Sequence, residues 1–302
     1  MRRAVHAAAV LLSLVPLARA GASQELKALA ATDRIRVLVA GRLFTEYRYA
    51  DDQKFPYFFP VIGPRSGVGI TTIGQTNYPH HSSLWFGCDR VNGGNYWAGD
   101  VKAGRIAPRG TRLVNGGGEE IIFEQDCEWV KADAPSPFKD HRRVEIRAPS
   151  ADRREIGFDI TLTALEPVKI EKTNHSLFSA RMAPDMSVAG GGRLRNAEGL
   201  EAEKGTFGKP SPWMDARGTR AGITEGLAIM VHPSVPGFPP PWFTRDYGFI
   251  SPTPMFWPEK GDTEFAKGET LRLRYRVIVH GDDPAPEVLQ AEFDRWAKVP
   301  PP

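Results

Sequence analysis

The sequence predicts an all-β protein, a large antiparallel β-sandwich with a short helix at its C-terminal end. Three observations carry this. Runs of β-branched and aromatic residues with period-two alternation recur along the chain, bounded by turn residues. Glycine and proline are plentiful, 30 and 26 of 302 residues, which favours many turns over many helices. Only 286–298 has clear helical spacing, with Val288, Leu289, Phe293 and Trp296 on one side behind Pro286. Twelve or more strands without alternating helices imply an antiparallel sandwich or barrel.

Residues 1–20 read as a secretory signal. Arg2 and Arg3 are the charged start, 7–18 the apolar run, and Ala18-Arg19-Ala20 a small-x-small cleavage site. The apolar run is shorter than the about 20 residues a bilayer requires, and no later segment is long and apolar enough to span one. The mature protein is therefore expected to be periplasmic or secreted, with 21–302 as a single domain. A short helix over 24–31 precedes strands at 35–39, 43–49, 57–62, 121–130, 144–148 and 156–165. Gly116-Gly117-Gly118 reads as the turn before Ile121. Phe158, Ile160 and Leu162 alternate with Asp159, Thr161 and Thr163, as in a half-buried strand. The clearest strand is 271–279, where Arg272, Arg274 and Arg276 form a face directed to solvent or to a cleft.

A net charge of +3 with scattered basic residues argues against a nucleic-acid partner. Two cysteines, Cys88 and Cys127, exclude a Cys-rich metal site and leave open one bridge or two thiols, with thiols slightly favoured.

Two stretches carry candidate chemistry. In Tyr78-Pro79-His80-His81-Ser82-Ser83-Leu84-Trp85, paired imidazoles suit metal ligation, acid–base chemistry or hydrogen bonding to hydroxyls. Asn92, Asn95, Tyr96 and Trp97 follow on a glycine-rich loop. Flat aromatics beside amides and imidazoles suit sugar rings, whose C–H faces stack and whose hydroxyls pair with planar polar groups. The second stretch runs from His232 to Pro252, where five prolines from Pro233 to Pro241 stiffen a loop ahead of Trp242, Arg245, Asp246 and Tyr247. Lys209 and Trp213 are expected at a cleft rim, and Arg181 inside a strand needs a carboxylate or a ligand anion. Asp215, Glu225 and Asp246 are the nearest carboxylates. His175 reads as a turn residue within reach of a cleft, and His280 as a strand terminus.

The sequence resembles a bacterial domain-of-unknown-function family often labelled methane oxygenase PmoA. The matching stretches are YPHHSSLWFG from Tyr78, VNG from Val91, and the surroundings of Arg181, Gly208-Lys209 and Trp213. VHPS from Val231, PWFTRDYG from Pro241 and LRYRVIVH from Leu273 complete the set. The label implies an integral-membrane copper enzyme; without a membrane span, methane oxidation is rejected. The resemblance implies a galactose-mutarotase-like supersandwich and, through it, sugar chemistry. This chain departs from the family pattern at Cys88 and Phe243, where relatives tend to carry histidine.

The leading expectation is an exported enzyme acting on a sugar or glycoside: a glycoside hydrolase, lyase or epimerase. His80, His81, His232 and Arg245 are its catalytic candidates. Trp85, Asn92, Trp97, Arg181, Lys209, Trp213, Trp242, Asp246 and Tyr247 are its binding candidates, with Trp85, Trp97 and Trp242 as a stacking wall. No cofactor is required, a divalent metal is compatible with the histidines, and the oligomeric state is open. A carbohydrate-binding module and an interaction scaffold are the alternatives. The enzyme predicts convergent buried histidines, the module a shallow aromatic platform, and the scaffold an apolar patch without a pocket. The two stretches are expected to meet in one cleft.

Overall fold

Antiparallel ladders organise almost the entire chain in the computed structural model, which describes residues 22–257, 259 and 261–301. The signal reading at 1–20 lies outside the described residues. The strands are β1 (Leu26–Ala30), β2 (Arg34–Val39), β3 (Arg42–Arg48), β4 (Tyr57–Val61), β5 (Ile73–Gln75), β6 (Tyr78–Ser82) and β7 (Leu84–Cys88). Four long strands follow: β8 (Arg105–Gly118), β9 (Glu120–Val130), β10 (Phe138–Ser150) and β11 (Arg153–Ala164). Next come β12 (Val168–Ile170), β13 (Ser176–Arg181), β14 (Arg193–Asn196), β15 (Trp213–Arg220), β16 (Ile223–Val231) and β17 (Phe243–Arg245). The last are β18 (Phe249–Ser251), β19 (Thr263–Phe265) and β20 (Thr270–His280). Two α-helices are present among the described residues, α1 (Ala202–Thr206) and the C-terminal α2 (Pro286–Trp296).

Sixteen strands form one ladder in the order β14-β15-β16-β20-β11-β10-β9-β8-β1-β2-β3-β4-β7-β13-β18-β17. Its two halves face each other. Tyr47 of β3 meets Phe123 of β9, Phe58 of β4 meets Phe158 of β11, and Phe178 of β13 stacks on Tyr275 of β20 at 4.6 Å. None of these strand pairs are ladder neighbours, so the contacts are between layers, and the sheet is a sandwich around an aromatic core. Alternation does this work in β11, where every second residue from Arg154 to Ala164 is buried. The large antiparallel β architecture and its C-terminal helix are as expected.

Three local expectations are corrected. Residues 26–30 are a strand, because β1 finds ladder partners on both sides, β2 and β8, and pairing outweighs a short helical pattern. Gly116-Gly117-Gly118 is not the turn; it extends β8, pairing Gly116 with Ile121 and Gly117 with Glu120. The arginine face of β20 is open to solvent only at Arg272, and the rest of it is covered by the C-terminal helix. Arg274 and Arg276 lie over the Trp296 ring of α2, and Arg274 donates to the Val299 carbonyl.

Candidate functional site

One half-sheet turns a second face away from the core. On β7 and β13, Phe86 and Phe178 point inward, so Trp85, Ser179 and Arg181 point outward. Arg181 pairs with Phe249 across β13–β18, and Phe249 with Arg245 across β17–β18, which carries this face to the sheet edge. The β5–β6 ribbon folds over it. The result is a cleft of about 160 Å³ lined by Tyr78, His80, His81, Asn174, His175, Phe243, Arg245, Tyr247 and Phe249.

Neighbours on a strand ordinarily face opposite ways, yet both histidines reach this cleft. His81 turns down onto Phe249 at 4.9 Å and Trp85 at 5.5 Å. His80 lies edge-on to His81 at 4.6 Å and faces His175 at 5.7 Å. His175 joins its Nδ1 to the Asp89 carboxylate at 3.0 Å, and the Thr173 hydroxyl donates to the other carboxylate oxygen. Trp97 stacks behind the His175 ring at 5.5 Å. Tyr78 and Tyr247 stack at 4.3 Å, and the Arg181 guanidinium lies 4.3 Å from the Tyr247 ring and 5.2 Å from that of Tyr78. Arg245 is paired with Glu203 at 2.9 Å.

Burial dominates the electrostatics. It pushes the His81 pKa down to about 2, helped by the neighbouring His80, Arg181 and His175. Burial and His175 lower His80, with Asp89 opposing. Both rings are therefore neutral at pH 7. Burial and the Tyr78 neighbour raise Tyr247. Seven buried side-chain atoms on this face have no hydrogen-bond partner in the protein: His80 Nε2, His81 Nδ1, Trp85 Nε1, Trp97 Nε1, Ser179 Oγ, and Arg181 Nε and Nη1. Buried polar atoms are normally paired, so this concentration sets the face apart from the closed networks of the core.

The residues picked from sequence sort into two groups. His80, His81, Arg245 and Tyr247 meet in the cleft, with Arg181 behind its tyrosine wall. Asp246 lies at the edge, its carboxylate accepting from the Glu203 backbone N–H. His232 does not join: its Nδ1 bonds Ser234 at 2.8 Å and its ring packs on Trp296 of α2. The stacking wall is not a surface. Trp85, Trp97 and Trp242 are at most 1% exposed; Trp85 and Trp97 buttress imidazoles, and Trp242 donates to the Ser211 carbonyl. Trp213 is buried under α2, donating to Gln290, while Lys209 is exposed and absent from the cleft lining. Asn92 clamps the β12 entry through Glu166, the Pro167 carbonyl and the Lys169 N–H.

Among the carboxylates, Asp215 is held by His280 and Arg195, and Glu225 accepts from Arg65 and Ser66. His280 is thus part of a buried network rather than a plain strand end. Both cysteines are buried thiols. Of the two positions where the resemblance implies a histidine, Cys88 faces the core and Phe243 stands in the cleft lining. Asn174, Phe249 and Asp89 carry no signal in the sequence; Tyr78 belongs to the first candidate stretch, and His175, expected as a turn residue within reach of a cleft, lines it. Among the described residues no group of three or more His, Cys, Asp or Glu is arranged to hold a metal ion. A larger depression of about 550 Å³ crosses β8–β11, where Arg109 pairs with Glu128 and His141 bonds Asp126.

A family model matches residues 34–294, from β2 into α2, and so takes in every cleft residue. The chain belongs to that family, the Family of unknown function (DUF6807). Its description names no activity, and the methane oxygenase label has no counterpart in it. No curated protein matches the chain in sequence. Solved structures with some likeness include the GH36 alpha-galactosidase AgaA from Geobacillus stearothermophilus, at 10% identity and TM-score 0.41, over 85% of this chain and 41% of that one. An alpha-galactosidase from Lactobacillus brevis gives 9%, 0.35, 84% and 39%. A structure from Klebsiella pneumoniae assigned provisionally as an aldose 1-epimerase gives 9%, 0.38, 91% and 84%. The chain spans about two fifths of the length of these galactosidases. Likeness at these scores does not extend to function. No helix among the described residues is long and apolar enough to cross a membrane.

Proposed function

We propose that this DUF6807 protein is an exported enzyme that moves a proton on a sugar or glycoside bound in the cleft of His80, His81 and His175. The observation that carries the reading is the Asp89–His175 pair beside two neutral imidazoles. With Nδ1–H donated to Asp89, the tautomer of His175 is fixed and Nε2 is left as the free base. Asp89 also stabilises the imidazolium that forms when Nε2 takes a proton. Neutral His80, across a 5.7 Å ring separation, has an unpaired Nε2 for the partner atom of the substrate. The cleft volume, about 160 Å³, is below the roughly 300 Å³ at which drug-sized ligand pockets begin, which fits one sugar ring. Asn174, Tyr78 and Tyr247 offer hydroxyl partners, and Phe243 and Phe249 an apolar wall.

The test is incubation of the mature protein with monosaccharides and aryl glycosides in D2O, read by NMR for cleavage, epimerisation or solvent deuterium at a ring carbon. Conversion of one ligand class is expected, with Asp89→Asn slowing it by about 100-fold or more and leaving the urea midpoint in place. Binding without conversion would favour the non-catalytic carbohydrate module, and no binding would end the sugar reading. Export has its own check: N-terminal sequencing of periplasmic or secreted material is expected to start at Gly21, and a retained Met1 on a cytosolic protein would contradict it.

A further inference from the structure

Arg181 is 5% exposed and has no carboxylate, carbonyl or hydroxyl partner in the protein; Nε and Nη1 are buried without an acceptor. Its guanidinium does have the faces of Tyr247 and Tyr78, two walls of the cleft. Cation–π contact offsets part of the desolvation but supplies no hydrogen-bond acceptor for the Nε and Nη1 donors. The nearby acids are committed elsewhere. Asp89 is engaged by Thr173 and His175, Glu203 by Arg245 and the Asp246 N–H, and Asp246 by the Glu203 N–H. One uncompensated positive charge therefore lies against the tyrosine wall of the cleft at neutral pH, since an arginine stays protonated.

We propose that the ligand is a sugar acid, its carboxylate neutralising Arg181 beside the stacked pair of tyrosines. This rests on the sugar reading above and narrows it. A planar carboxylate matches the planar fork of a guanidinium, and a charged acceptor gains more from desolvated N–H donors than a sugar hydroxyl does.

Calorimetric titration of the mature protein with D-galacturonate and D-glucuronate, against their methyl esters and D-galactose and D-glucose, tests this. At least one uronate is expected to bind about tenfold or more tightly than its methyl ester and parent hexose, with the preference shrinking as salt rises. Arg181→Gln is expected to bring the acid down to the affinity of its ester, and Arg181→Lys to keep only part of the preference. Equal binding of acid, ester and hexose to wild type overturns this inference while the sugar reading survives, as does a preference that persists in Arg181→Gln. Tighter binding of a sulfated hexose than of either uronate overturns the carboxylate assignment. Silence from every sugar overturns both. The ester comparison uses wild type alone, so it stands even if the variants fold poorly.

Discussion

Two buried arginines on strands of one sandwich show opposite ways of carrying a charge. Arg142 of β10 is fully buried in the core, and every side of its guanidinium is met. Asp140 accepts from Nε at 2.7 Å and from Nη2 at 3.2 Å, and the Tyr47 hydroxyl from Nη1 at 3.3 Å. The network closes around this pair: Trp129 donates to Asp140, Tyr47 to Gln125, and Gln125 to Thr111. Arg181 of β13 is almost as buried and has rings but no acceptor. A closed network specifies the core in which it sits. An open one costs stability and persists where the missing partner comes from outside the chain.

The largest expected effect is at the closed site. Arg142→Met strands the Asp140 carboxylate without its cation, and a loss of roughly 3–5 kcal/mol is expected from urea unfolding. A loss under about 1 kcal/mol would mean that the closed network is not what specifies this part of the core.

A smaller effect separates the regions by pH. His81 stays neutral in the folded chain, its pKa pushed down to about 2 by burial, while the unfolded chain takes up a proton near 6.5. Between these values the unfolded state binds more protons, so stability is expected to fall as pH drops from 6.5. His81→Phe is expected to flatten that acid limb. His280 acts in reverse. Burial opposes its charge, but the charge and hydrogen bond of Asp215 prevail, and its pKa rises. Its contribution is full below pH 6.5 and lost as pH rises through the folded value, and His280→Gln is expected to remove that loss. An acid limb unchanged by His81→Phe would show that the cleft imidazole is not held neutral by burial.

How much was legible in the sequence follows the same division. Strands such as β11 and β20 were readable because alternation is local, whereas β1 was misread because its identity comes from its ladder partners, not its own five residues. The cleft was readable as motifs and not as geometry. His80, His81 and Arg245 were found, but the pairing of His175 with Asp89 spans 86 residues and leaves no local signal. The tryptophans were given the wrong side of their strands and loops: sequence shows that Trp85 and Trp97 lie near histidines, not that they stand behind them. His232 was grouped with Arg245 by a shared loop, yet the C-terminal helix takes it away.

The most direct measurement is the unfolding free energy of Arg181→Met beside wild type. Removing an uncompensated buried cation relieves its desolvation and forfeits only the ring contacts, worth about 0.5–2 kcal/mol. Stability at or slightly above wild type, within about 1 kcal/mol, is the expected result. A loss approaching that of Arg142→Met would contradict the account, because Arg181 would then be holding the fold together rather than waiting for a ligand.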